Sequence, residues 1–213
     1  MNMKYKVIFT TVIFASVFGI ISLTSSQIIT MDNYILNIIF LSLVALIIIL
    51  CFSHTFMQIY QKLDKTWLLF LLLSLTIHFT ASYLILFYIK RPLWPFSTTG
   101  SSFLLLNNYF IWAKPIDVFV QQLLITLLVT RLAELKLKAK SITTIFIFGF
   151  GIIHIFQIFK TNLLVGLGYT LVALIFSVVF PYLILKVKNG SIYNYIIHLG
   201  AYTLAALLLW TLF

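Results

Sequence analysis

Residues 163–185 read LLVGLGYTLVALIFSVVFPYLIL, without one charged side chain. A helix of that length rises roughly 35 Å at ~1.5 Å per residue, enough to cross the ~30 Å hydrocarbon core of a bilayer. Apolar and polar residues do not alternate along it, which argues against a barrel strand. A segment in lipid must satisfy its own backbone groups, so it is helical. Six more runs follow the same rule, at 7–29, 34–59, 67–89, 116–132, 142–159 and 192–212. The sequence predicts an all-α, polytopic transmembrane bundle of about seven spans, a single integral membrane domain over residues 1–213. Three helices occupy 1–89, an extramembrane or interfacial connection 90–115, and a four-helix core 116–213.

Composition agrees. Hydrophobic residues make up 62% of the chain and charged residues 8%, about a third of the ~25% usual in globular domains. Mean hydropathy is +1.14. A net charge of +10 in a soluble protein would suggest nucleic acid. Here the lysines fall at the ends of apolar runs, where they set topology and attract anionic lipid, so lipid and not nucleic acid is the expected partner. The single Cys51 lies in an apolar run, which leaves no intrachain disulfide and no thiolate metal site. Lys4 and Lys6 precede the first apolar run as in a signal peptide, but no small-x-small cleavage site follows, so an uncleaved helix is expected.

Cytoplasmic loops carry excess Lys and Arg. With the N-terminus inside, Lys4, Lys6, Lys62, Lys65, Arg131, Lys136, Lys138, Lys140, Lys186 and Lys188 lie inside. Lys90, Arg91, Lys114 and Lys160 lie outside, which favours a cytoplasmic N-terminus. Within 90–115, the short run Phe103–Trp112 reads as an interfacial or re-entrant helix with Trp112 at the headgroups.

Polar groups at mid-span are costly and should face each other or a cavity. Asp117 and Gln121 share a helical face, and Gln122, Thr126 and Thr130 continue the polar stripe. His154 follows Phe150 by one turn and precedes Gln157. Asn194, His198 and Tyr202 are spaced by four and point the same way. His78 lies between Ser74 and Ser82, as in a small-polar packing seam, and His54 lies near Gln58 at a helix end. A catalytic zinc needs three protein ligands. His154 and His198 supply two, and Asp117, the only available third, lies close to a helix end. Neither a metal nor another cofactor is implied.

From Lys114 onward the chain resembles the CPBP family, the glutamate-dependent intramembrane proteases that include CAAX prenyl endopeptidases and bacteriocin-processing or self-immunity proteins. That family carries EExxxR, FxxxH and HxxxN or HxxxB on separate helices. QQLLIT (Gln121–Thr126) falls where EExxxR would be, and FGIIH (Phe150–His154) matches FxxxH. A Lys-Asn-Gly-Ser turn leads into His198 and Tyr202 at the third motif. The resemblance implies a site at Gln121, Gln122, His154 and His198, with Thr126, Phe150, Asn194 and Tyr202 around it as ligand-binding positions. Both glutamates are glutamines, the arginine is Thr126 and the final asparagine is Tyr202. An amide is no general base, although it still donates and accepts hydrogen bonds.

Two classes of function follow. One is a non-catalytic relative that binds a peptide, a lipid or a partner membrane helix in an intramembrane polar cavity. The other is a peptidase of altered chemistry, with His154 or His198 as base and the glutamines and Tyr202 as oxyanion donors. A subunit of a membrane transporter or complex is the further alternative, although no inverted repeat is visible.

Overall fold

The structure is a computed structural model that describes residues 33–60, 63–89, 106–159 and 163–212, with positions 5, 8, 9, 11–14, 16 and 17 near the N-terminus. Among these residues there is no strand. Helix α1 (Tyr34–Cys51) runs through Phe52 into α2 (Ser53–Tyr60), and α3 (Thr66–Tyr88) follows. A π-turn at Tyr109–Ala113 opens α4 (Lys114–Glu134). Helix α5 (Ala139–Phe146) continues through a π segment (Ile147–Gly151) and a 3-10 segment (Ile152–Phe159). Helices α6 (Leu163–Lys186) and α7 (Gly190–Leu212) complete the chain.

Six helical stretches among the described residues are long and apolar enough to cross a membrane. They correspond to six of the seven spans expected. The expected 7–29 span is helical wherever it is described, and its remainder, like Lys4, Lys6, Lys62, Lys90, Arg91 and Lys160, lies outside the described residues.

One boundary needs correction. The fourth span begins at Tyr109, not at 116. The second half of the expected interfacial run is thus part of a span, and Phe110 and Ile111 are buried in it. Pro115 explains the misreading. It lacks an N–H, so it reads as a helix start and leaves the Ile111 carbonyl without its α-helical donor. His78 Nε2 supplies that donor from α3 at 3.2 Å. Nδ1 of the ring lies 2.7 Å from the Thr203 hydroxyl of α7, within hydrogen-bond distance. His78 and Ser82 are the buried residues of α3, as the small-polar seam predicts. His54 is exposed.

Helix α4 is the hub. Its membrane window is 56% buried, against 11% for α3. It touches α1, α5, α6 and α7 and contributes to all three apolar clusters, through Val118, Leu127 and Val129 among others. The polar stripe belongs to the helix that the others shield from lipid. Side chains such as Leu69, Leu164 and Leu171 face outward, where hydrocarbon replaces water as the apolar surroundings.

The α6–α7 turn is held tightly. Asn189 has φ 61°, and a Cβ on Gly190 would lie 1.8 Å from the Leu183 carbonyl oxygen. The Asn189 side chain accepts from the Asp64 backbone N–H at 3.1 Å and donates to the Asp64 carboxylate at 2.7 Å. Lys188 lies 3.2 Å from the other Asp64 oxygen. Hydrogen bonds from Thr66, Asn189 and Lys188 hold the Asp64 carboxyl well below the usual carboxylate range. The α2–α3 and α6–α7 connections therefore share one end of the bundle. The short α4–α5 turn, with Arg131, Lys136, Lys138 and Lys140 around it, reaches that same end, because successive spans alternate in direction.

Two outcomes are expected. Gly190→Ala should destabilise the protein by on the order of 2–4 kcal/mol in detergent unfolding. Gly200→Ala, whose Cβ meets nothing within 4 Å, should leave stability unchanged or slightly raised. Secondly, a cysteine replacing the exposed Ser141, with Cys51→Ser, should resist membrane-impermeant thiol reagents in intact cells, because the excess of Lys and Arg predicts a cytoplasmic position for this end. Ready labelling from outside would reverse the orientation.

Candidate functional site

Three helices bring the motif positions together. Gln122 on α4 and His198 on α7 are 3% and 5% exposed, and Gln122 Nε2 lies 2.7 Å from His198 Nδ1. An amide nitrogen only donates, so Nδ1 accepts and the His198 proton sits on Nε2. His198 stacks on Tyr202, one turn along α7, at 5.1 Å between ring centroids. Tyr202 shares a hydroxyl hydrogen bond with Tyr169 of α6. Tyr169 in turn lies 5.4 Å from the His154 ring. The His154 Nδ1 donates to the Phe150 carbonyl, which leaves Nε2 as the lone-pair nitrogen.

These groups wall a cavity of about 390 Å³, lined by Phe150, His154, Tyr169, His198 and Tyr202 and otherwise by apolar side chains of α6 and α7. The π and 3-10 segments of α5 present Phe150 and His154 to it. Gly151 permits this approach, since a Cβ there would lie 2.6 Å from the Ser177 hydroxyl. The expected polar cavity is thus a mostly apolar one with a polar patch.

Four predicted positions sit elsewhere. Thr126 lines a second cavity of about 440 Å³ walled by residues of α2, α3, α4 and α7 among others. Gln122, expected beside His154 and His198 in one lining, lines this second cavity and reaches the first only through its contact with His198. Asn194 is fully buried and donates to the Phe180 carbonyl at 3.1 Å, pinning α7 to α6 beside Pro181. Gln121 turns to Asp117, donating at 3.0 Å, and its amide also reaches the Tyr202 hydroxyl. The side chain of Gln157 lies outside the described residues.

Lys114 requires the largest correction. Counted by sign it is an outer topology anchor, but it is buried and paired with Asp117 at 2.8 Å. Its ammonium also lies 3.9 Å from the centre of the Tyr202 ring. The signal was the i, i+3 spacing of Lys114 and Asp117, an ion-pair spacing on a helix. Tyr169 was missed because a lone tyrosine in an apolar run carries no pattern.

The pair consumes the local acid. Asp117 binds Lys114 through one oxygen and Gln121 through the other, so it is not poised to accept a substrate proton. Among the described residues, no carboxylate or thiol lines the cavity, and no three His, Cys, Asp or Glu side chains are placed to hold a metal. The wall offers hydrogen bonds and aromatic faces. Comparison of the chain with protein-family models, curated proteins and solved structures returned no match.

Removing one member of a buried ion pair costs roughly 3–5 kcal/mol, while replacing both with apolar residues is often neutral. Asp117→Asn is therefore expected to destabilise strongly in thermal unfolding, and Lys114→Met with Asp117→Leu to recover most of that loss.

Proposed function

We propose that this is a non-catalytic, multi-pass protein of the cell membrane that binds a hydrophobic ligand in the His154–His198 cavity. It is read as a divergent relative of glutamate-dependent intramembrane proteases that kept the cavity and lost its acid. The observation carrying this reading is the 2.7 Å Gln122–His198 contact at a cavity that His154 and Tyr202 also line. His154 and His198 come to the cavity from separate helices and Gln122 of a third touches His198, while the two positions that would carry glutamate hold amides.

Size narrows the ligand. A cavity of about 390 Å³ with a mostly apolar lining has room for a lipid chain or a short unwound peptide stretch.

A photo-reactive amino acid at Ala201, which lines the cavity, tests the reading in membranes. It is expected to capture a lipid or peptide, and Ala173→Phe, which fills the same cavity, is expected to abolish capture. The purified wild-type protein is expected not to turn over a leader peptide or a prenylated peptide. Turnover lost on His154→Ala would replace this reading with a histidine-base peptidase.

A further inference from the structure

The two histidines that line the cavity keep opposite hydrogen-bonding roles at Nε2. His154 spends its Nδ1 proton on the Phe150 carbonyl, so its Nε2 is an acceptor. His198 receives the Gln122 amide on Nδ1, so its Nε2 is a donor. Both residues line the same cavity. The cavity lining therefore offers an N–H donor from one helix and a lone pair from another, and the buried Lys114 and Asp117 nearby are paired with each other.

We propose that the ligand is a lipid carrying a secondary amide on a single long alkyl chain. This rests on the binding reading above and names its ligand class. The amide carbonyl accepts from His198 Nε2 and the amide N–H donates to His154 Nε2. A phosphate or carboxylate head would bring a charge into the membrane interior at high cost, and would find only one donor of the pair useful. A plain hydrocarbon would leave both nitrogens without partners. An ester would satisfy His198 and leave His154 unpaired. The rest of the cavity suits an alkyl chain. Leu164, Val165, Val172, Leu204, Ala205 and Leu208 line it, and Leu164 and Leu204 are exposed on the bundle's outer surface, open to lipid. Gly168, with open space where its Cβ would be, adds to the room along that wall.

The test uses the full chain in lipid nanodiscs with two probes, a long-chain N-methyl fatty amide and the matching methyl ester. The two differ at one atom, N–H against O. A buried acceptor left unpaired costs ~1–3 kcal/mol, so the amide is expected to bind at least fivefold more tightly to wild type. His154→Phe is expected to erase that preference by weakening amide binding alone. His154→Gln, which keeps a hydrogen-bonding side chain, is expected to restore part of it and guards against a folding defect. His198→Phe is expected to weaken amide and ester alike, because both carry the carbonyl. Equal affinity of wild type for amide and ester overturns the assignment, as does absence of binding to either. Displacement of the amide by a short apolar peptide at lower concentration overturns the lipid assignment in favour of a peptide ligand. Cleavage of the amide by wild type overturns the non-catalytic reading and leaves the binding geometry standing.

Discussion

A helix in lipid must give each polar side chain a partner inside the protein, and α4 carries Lys114, Asp117, Gln121, Gln122 and Thr126 within thirteen residues. The bundle is arranged around that demand. Lys114 and Asp117 neutralise each other, and Gln121 takes the second Asp117 oxygen. Gln122 reaches across to His198. The Tyr195 hydroxyl donates to the Pro115 carbonyl at 3.2 Å. Thr203, on the same helix as Tyr195 and His198, meets His78. Apolar packing alone discriminates weakly between helices in lipid, since hydrocarbon is as apolar as leucine. Directed hydrogen bonds are what choose α7 as the neighbour of α4.

The extent to which this was legible depends on what each residue needs. Span positions follow from hydropathy alone, because length and apolarity are local. The Gln122–His198 contact and the shared cavity lining of His154 and His198 were legible for a related reason: each is polar at mid-span, and lipid offers it no partner. Lys114 was misplaced because counting basic residues uses sign and position near a helix end, and ignores a partner three residues on. Asn194 shares a face with His198 by spacing, yet its amide donates to the Phe180 backbone. Spacing fixes direction on a cylinder and says nothing of how far away the next helix lies. The helix start at Tyr109 was hidden by Pro115, whose missing N–H is compensated by His78, a contact between residues far apart in sequence.

The chemistry of position 122 shows how a polar side chain is held beside the cavity inside the membrane. A glutamate there would place a carboxylate against His198 inside the membrane, a charge that needs a counter-charge nearby. In this chain position 126 is threonine, not arginine, and the nearest cation, Lys114, is already held by Asp117. Glutamine answers both conditions, being neutral and still long enough to donate to the ring. Its Oε1, buried without a hydrogen bond, is the residual cost, on the order of 1–3 kcal/mol for an unsatisfied group. Against that cost stands the α4–α7 contact. The Gln122–His198 hydrogen bond and the Tyr202–Tyr169 pair are the same contacts that fasten α4 to α7 and α7 to α6. Side chains that line the cavity thus also hold the bundle together. A neutral amide at position 122 keeps the α4–α7 pin without a buried charge, so the shape of the cavity beside it is held by contacts that folding itself requires.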